Sequence, residues 1–239
     1  MPRLDGRARD ELRAIKITPG FQTYAEGSVL IEQGKTQVIV SVTLEEKVPP
    51  FLKNTGTGWV TAEYAMLPRA TSTRTPRDSA GKISGRSQEI QRLVGRSLRA
   101  VTDLAALGER SFVVDCDVIQ ADAGTRTASI TGGYVALYLA FNKLHRLGVF
   151  KQMPLKSQVA AVSVAVHKGS IVLDPAFDED CNADSDFNLV MNSKGEFIEV
   201  QGTAEKRAYS HETFDAVLAT AEKGIKQLFE IQTEVIKRS

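Results

Sequence analysis

Phe112-Val113-Val114-Asp115-Cys116-Asp117-Val118-Ile119, then Ala121-Asp122-Ala123-Gly124-Thr125-Arg126-Thr127, then the apolar run from Ile130 to Leu144, is the stretch that decides the fold. Its first part is β-branched and apolar in the manner of a strand, and its last carries apolar residues at helical spacing. A tight loop of small residues joins them. A strand that turns directly into a helix is the unit of an α/β architecture. The same junction is a candidate anion cradle. Ala121, Ala123 and Gly124 let backbone N–H groups approach a ligand, the helix turns its positive end toward the loop, and Arg126 adds a charge. The residues also read as an ordinary strand-to-helix turn, with Thr125 or Thr127 as cap and Arg126 on a structural carboxylate.

Working outward, Ile130, Tyr134, Val135, Leu137, Tyr138, Leu139 and Phe141 leave that helix no continuous polar face, which predicts a central buried helix. Gly132-Gly133 within it predicts close backbone packing. Upstream, Gly27 to Glu32 and Gln37 to Leu44 flank the turn Gln33-Gly34-Lys35-Thr36 as a hairpin, and Trp59 to Ala65 is extended. A long polar loop around Ala70 to Gly85 follows. Ser87 to Leu104 then has a helical period, with Arg92, Arg96 and Arg99 sharing one face. That stripe reads as a solvated face, or as a surface that meets another subunit or RNA.

Downstream, Gln158 to His167 pairs with Ser170 to Asp174, and Ser185 to Asn192 with Glu196 to Gln201, as two hairpins. Glu212 to Gln232 is a last amphipathic helix with Ser210 as N-cap. No linker or low-complexity tract interrupts the chain. The expectation is one α/β (α+β) domain over residues 1–239, with mixed sheets and hairpins packed against helices.

Composition limits the function classes. A chain of 239 residues with net charge +1 can bury a large core, and the total charge does not announce a nucleic-acid binder. No apolar run approaches the roughly 18 residues of a membrane span. Cys116 and Cys181 form neither a Cys-x-x-Cys pair nor a disulfide framework, which fits a cytoplasmic protein. The distribution of charge is uneven. From Pro68 to Arg99, eight basic residues (Arg69, Arg74, Arg77, Lys82, Arg86, Arg92, Arg96 and Arg99) face two acidic ones, a local excess of +6. From Asp178 to Asp186 five carboxylates fall in nine residues with no basic residue between them.

Such packing is electrostatically costly without a cation nearby. Strand alternation puts Asp184, Asp186 and Asn188 on one side, and a curl through Cys181-Asn182-Ala183 brings Asp180 toward Asp186. Two carboxylates so arranged suit Mg²⁺ or Mn²⁺, and a solvated acidic loop is the alternative. His145, His167 and His211 lack zinc-ligand spacing. Gly34-Lys35-Thr36 has Val29 where a P-loop needs its first glycine, and Gly56-Thr57-Gly58 has Thr61 where a dinucleotide fingerprint needs its third. The anion is therefore expected to be small, such as inorganic phosphate. An anion cradle, a carboxylate pair and an arginine loop together suit phosphoryl chemistry on a polyanion.

Cys116-Asp117-Val118-Ile119-Gln120-Ala121-Asp122-Ala123-Gly124-Thr125-Arg126-Thr127-Ala128-Ser129-Ile130-Thr131-Gly132 resembles the signature of the ribonuclease PH family. So do Asp5-Gly6-Arg7, the stretch Gly58 to Thr71, Ser84 to Leu93, Glu179-Asp180 with Asp186, and Glu199 to Glu205, in order along nearly the whole chain. The resemblance implies a ribonuclease PH-like βαβ fold and a phosphate-dependent 3′-to-5′ exoribonuclease. Such enzymes trim tRNA precursors and other RNA 3′ ends, release nucleoside diphosphates, and form homohexamers as trimers of dimers. It implies phosphate binding by Arg86, Gly124, Thr125 and Arg126, with Asp180 and Asp186 as catalytic, metal-associated carboxylates beside Arg126. It further implies RNA contacts from Arg69, Arg74 and Arg77 and subunit contacts from Arg92, Arg96 and Arg99.

The rivals are a catalytically silent RNA-binding ring subunit and a small-molecule phosphotransferase. Departures from the family pattern are Ala123 for the first of two glycines, Cys181 for serine and Phe187 for methionine. Alanine at 123 is strained if the loop needs a positive φ there.

Overall fold

A computed structural model describes residues 3, 5–78 and 83–239; Lys82 and the middle of the arginine loop lie outside the described residues. Five strands form the first sheet: β1 (Ile15–Pro19), β2 (Gly27–Gln33), β3 (Thr36–Glu45), β4 (Trp59–Met66) and β5 (Ser111–Gln120). Their order is β1-β2-β3-β5-β4. β4 and β5 run parallel, and the crossover between them is helix α1 (Gly85–Ala100), so β4-α1-β5 is the expected βαβ unit. The other neighbours are antiparallel.

Helix α2 (Thr125–Arg146) leaves the end of β5 and runs between this sheet and a second one. The second sheet has the order β7-β6-β8-β9, built from β6 (Val159–His167), β7 (Ser170–Leu173), β8 (Ser185–Asn192) and β9 (Phe197–Ala204). Helix α4 (His211–Lys237) covers its other face. A short α3 (Phe177–Cys181) bridges β7 and β8.

Strand periodicity explains the layering. In β6, Val159 and Ala161 join the core shared with α2, while Ala160, Val162 and Val164 join the core under α4. With both faces covered, β6 reads from Val159 to Val166 as an apolar run interrupted by Ser163 alone instead of an alternating one. Helix α4 answers with Val217, Ala221, Ile225 and Leu228, all buried on one stripe. Val217, Ile225 and Leu228 each contribute roughly 1.5–3 kcal/mol. Fifteen of the 22 residues of α2 are buried, as its lack of a polar face requires.

Two glycines set the distance between layers. A Cβ on Gly27 would lie 2.2 Å from the carbonyl oxygen of Ala136, so only glycine lets β2 cross α2 there. On Gly132 a Cβ would lie 2.9 Å from Ile31, the close packing expected of the Gly132-Gly133 pair.

Boundaries shift in two places, and two elements are new. α1 ends at Ala100, not Leu104: its last turn tightens, with the Thr102 N–H donating to the Arg99 carbonyl, and Thr102 pairs with Leu155 in an isolated β-bridge. α4 continues past Gln232 to Lys237. β1 and α3 were not expected. The hairpins fall where the alternation puts them, and Ser210 caps α4 by accepting from the Thr213 N–H.

Candidate active site

A cavity of about 1030 Å³ opens where the N-terminus of α2 faces the second sheet. Strand register places its polar floor. On the side of β6 and β8 turned toward α2, Val159, Ala161 and Val190 are core residues, but farther along the same face Ser163, Asp186 and Asn188 follow. Ser163 Oγ donates to Asn188 Oδ1 at 2.8 Å, and Asn188 Nδ2 donates to Asp186 Oδ2 at 3.2 Å. Asp186 Oδ1 is buried and has no hydrogen-bond partner. Asp180 reaches the same cavity from α3.

Asp184 does not share that floor. It precedes β8 and ties the sheet end together, its N–H donating to Val166 and its carbonyl accepting from Glu205 and Lys206.

The opposite wall is the loop 121–124. Ala123 and Gly124 both have positive φ, 60° and 67°, so the strain expected of alanine at 123 is present. Gly124 is the N-cap of α2 and makes no side-chain cap. The capping role considered for Thr125 and Thr127 is absent. Thr125 Oγ1 instead bonds to the buried Tyr64 hydroxyl at 2.8 Å, and Thr127 Oγ1 donates back to the Gly124 carbonyl. Thr36 Oγ1 donates to the Ala123 carbonyl at 2.6 Å and accepts from the Asp122 N–H. Arg13 donates to the Asp122 carbonyl. With those carbonyls engaged elsewhere, the first N–H groups of α2, which lack intrahelical partners, are left for the cavity.

Arg13 belongs to a buried framework that the sequence did not reveal. Its guanidinium donates to Asp174 Oδ1 at 2.6 Å and Oδ2 at 3.1 Å, and a Cβ on Gly124 would meet it at 2.9 Å. Asp174 is fully buried with φ 49°, and its carboxyl is held below the ordinary range, burial being outweighed by Arg13. Arg3 donates to both carboxylate oxygens of Glu179, at 2.9 and 2.7 Å, and to the carbonyls of Leu173 and Asp174. Arg13 and Arg3 therefore fix, respectively, the cradle and the helix that carries Asp180.

Cations face the carboxylates. Arg86, on the first turn of α1, and Arg126, on the first turn of α2, line the cavity. Arg126 is largely buried and donates to Glu89 at 3.1 Å and to Gln201 at 3.2 Å. Burial raises the pKa of Asp180, opposed by Arg86, Arg126 and Arg13. Asp186 is pushed up to about 6 by burial and by the negative charge of Asp180, against the pull of Arg126. Among the described residues no three His, Cys, Asp or Glu side chains gather into a ready-made metal cage. Two carboxylates, one with an orphaned oxygen, suit a hard cation that keeps waters and takes further ligands from a phosphate.

The other expected residues separate. Arg69 lines the cavity, whereas Arg74 and Arg77 lie on the exposed loop beyond it. Arg92 and Arg96 line a second, smaller cavity of about 290 Å³ next to Glu89 and Gln201. Arg96 pairs with Glu199 at 2.6 Å. Arg99 turns inward, donating to the Val60 carbonyl and stacking 4.2 Å above Trp59. No helix among the described residues is long and apolar enough to cross a membrane.

Known proteins share this architecture. The 3′ exoribonuclease family, domain 1, matches residues 11–141, and its domain 2 matches residues 157–224. A ribonuclease PH of Dehalococcoides mccartyi is 70% identical over 233 residues, covering 97% of each chain. The ribonuclease PH of Syntrophomonas wolfei is 54% identical over 237 residues, covering 99% of each. For the fold alone, a chain of the Archaeoglobus fulgidus exosome with RNA bound to the active site superposes with a TM-score of 0.83 at 23% identity, covering 96% of this chain and 92% of that one. Rice Rrp46 superposes with a TM-score of 0.79 at 20% identity, covering 98% and 100%.

Proposed function

The chain belongs to the 3′ exoribonuclease family as a phosphate-dependent 3′-to-5′ exoribonuclease, and on that premise we propose how its residues carry the reaction. Inorganic phosphate sits between Arg86, Arg126 and the amides at Gly124 and Thr125. One of its oxygens attacks the last phosphodiester of the RNA in line. The new P–O bond makes a nucleoside diphosphate, the P–O3′ bond breaks, and the departing 3′ oxygen takes up a proton to leave a shortened RNA. The reaction is reversible.

The observation that carries this reading is the convergence of Arg86, Arg126 and the cradle on one cavity with Asp180 and Asp186. A nucleophile that arrives as an anion must be positioned against repulsion, which fixed guanidinium groups and helix N-terminal amides do. Asp180 and Asp186 would hold Mg²⁺ or Mn²⁺, consistent with the orphaned Asp186 oxygen. When bound, the ion would neutralise charge developing at the reacting phosphate.

Arg69, Arg74 and Arg77 grip the RNA strand upstream. The substrates are tRNA precursors and other RNA 3′ ends in the cytoplasm, and the assembly is a homohexamer, a trimer of dimers. Its contacts draw on Arg92, Arg96 and Arg99; because Arg96 and Arg99 are already engaged within the chain, Arg92 has most left to offer a second copy. A catalytically silent subunit would have no need of the converged charges. Incubation with a short RNA, with and without phosphate, tests the reading. Phosphate-dependent release of nucleoside diphosphates is expected, and release of monophosphates, or of nothing, overturns it. Light scattering should return six times the chain mass.

A further inference from the structure

Among the described residues Phe177 is the one aromatic side chain that lines the cavity, and the chemistry above leaves it without work. Its ring is 51% exposed, it belongs to neither hydrophobic cluster, and yet it lines the same cavity as Arg126, Asp180 and Asp186. An aromatic ring half exposed at the edge of a polar cavity forgoes much of the stabilisation that burial would give it, so its place needs another reason.

Its position is fixed from two sides. The Phe177 N–H donates to Asp122 Oδ1 at 3.2 Å, which ties it to the cradle loop. It opens α3, and Asp180 follows three residues later on the same face of that helix. The ring therefore stands beside the wall where phosphate is proposed to bind and one helical turn from a carboxylate of the reacting centre.

We propose that Phe177 is the stacking platform for the nucleobase of the 3′-terminal nucleotide, and so for the base of the nucleoside diphosphate released. This rests on the phosphorolytic reading above. The chemistry fits the substrate class. A terminal nucleotide whose phosphate lies between Arg126 and Asp180 carries its base about one ribose away, the span of one helical turn. An enzyme that removes successive nucleotides needs a grip that tolerates every base, and stacking supplies it because every base has a π face. Among the described residues the cavity lining supplies charge, with Asp122, Asp180 and Lys206, but no second aromatic ring. The site thus separates two tasks, with guanidinium groups and amides for phosphate and one ring for the base.

The test uses the full-length enzyme in the polymerising direction, with ADP and CDP as probes, and in phosphorolysis. Stacking removed by Phe177→Ala should raise KM for ADP about tenfold, and for CDP less, with KM for inorganic phosphate held within about twofold. Phe177→Trp should restore the ADP value, and Phe177→Leu, which keeps apolar volume without a π face, should not. A wild-type enzyme that releases no diphosphates from RNA defeats the phosphorolytic reading itself. With an active wild type, an unchanged ADP KM in Phe177→Ala, or full rescue by leucine, overturns the platform. A 3′-terminal abasic RNA supplies the cross-check: wild type and Phe177→Ala should degrade it equally, and a persisting difference speaks for a merely structural ring.

Discussion

Asp186 in the cavity and Asp115 on the outer face of the first sheet are both pushed up to about 6, and burial is the leading cause in each. Their neighbours differ. Asp115 sits on β5 opposite Glu63 of β4 and two residues from Asp117, three carboxylates on the sheet face turned away from the helices, and both neighbours add repulsion. Asp186 feels Asp180 but also Arg126, lies in a cavity, and keeps one oxygen without a partner. A raised carboxylate alone therefore does not mark a reactive site. What separates the two groups is the opposing cation and the open space in front of the oxygen.

The hardest test of that contrast is Asp186→Asn. Loss of a ligand for developing charge should lower kcat at least about a hundredfold while filter binding shows RNA affinity retained. Full activity would erase the distinction from Asp115. Arg126→Ala removes the cation that the outer cluster lacks, and steady-state kinetics against phosphate should show at least about a tenfold loss in kcat/KM.

Asp115→Asn should leave activity unchanged and alter stability instead. The folded-state pKa of Asp115 lies above the ordinary 3.8, so its contribution to the fold is favourable below that value and is lost as pH rises through about 6. An uncharged side chain removes this loss. After allowance for solvent screening, the variant should gain about 1 kcal/mol at neutral pH, read by urea unfolding, and nothing at about pH 3. The cradle also differs from the sheet face in its backbone. Ala123→Gly relieves the positive φ and should stabilise by about 1 kcal/mol, a rise in Tm of about 2–4 °C. Smallest is Arg74→Ala on the exposed loop, which should flatten the log–log salt dependence of RNA binding by about 0.7. An unaltered slope would move the strand elsewhere.

The sequence made the candidate site residues legible and hid what holds them. Periodicity located the hairpins and three long helices because each buries a regular face. It passed over α3, whose five residues Phe177–Cys181 look like part of an acidic loop, and β1, which is short and ends in Pro19. It also ran α1 on to Leu104, since apolar spacing continues where Thr102 has already turned the chain. Arg86, Arg126, Asp180 and Asp186 stood out by type and spacing. Arg13 and Asp174 did not, for they are 161 residues apart and nothing local joins them. Phe177 was overshadowed by the carboxylates that follow it.

The arginines near the amino end have a consequence for how the enzyme is made. Arg3, Arg7 and Arg13 find their partners near residue 174 and at Glu179, up to 176 positions away. Contacts so distant form late. Until then the Asp122 carbonyl lacks its Arg13 donor and the helix bearing Asp180 lacks the Arg3–Glu179 pair. Order in the cradle and in the helix that bears Asp180 is thus a last gain of folding, made when the arginine-bearing segment docks on the far part of the chain.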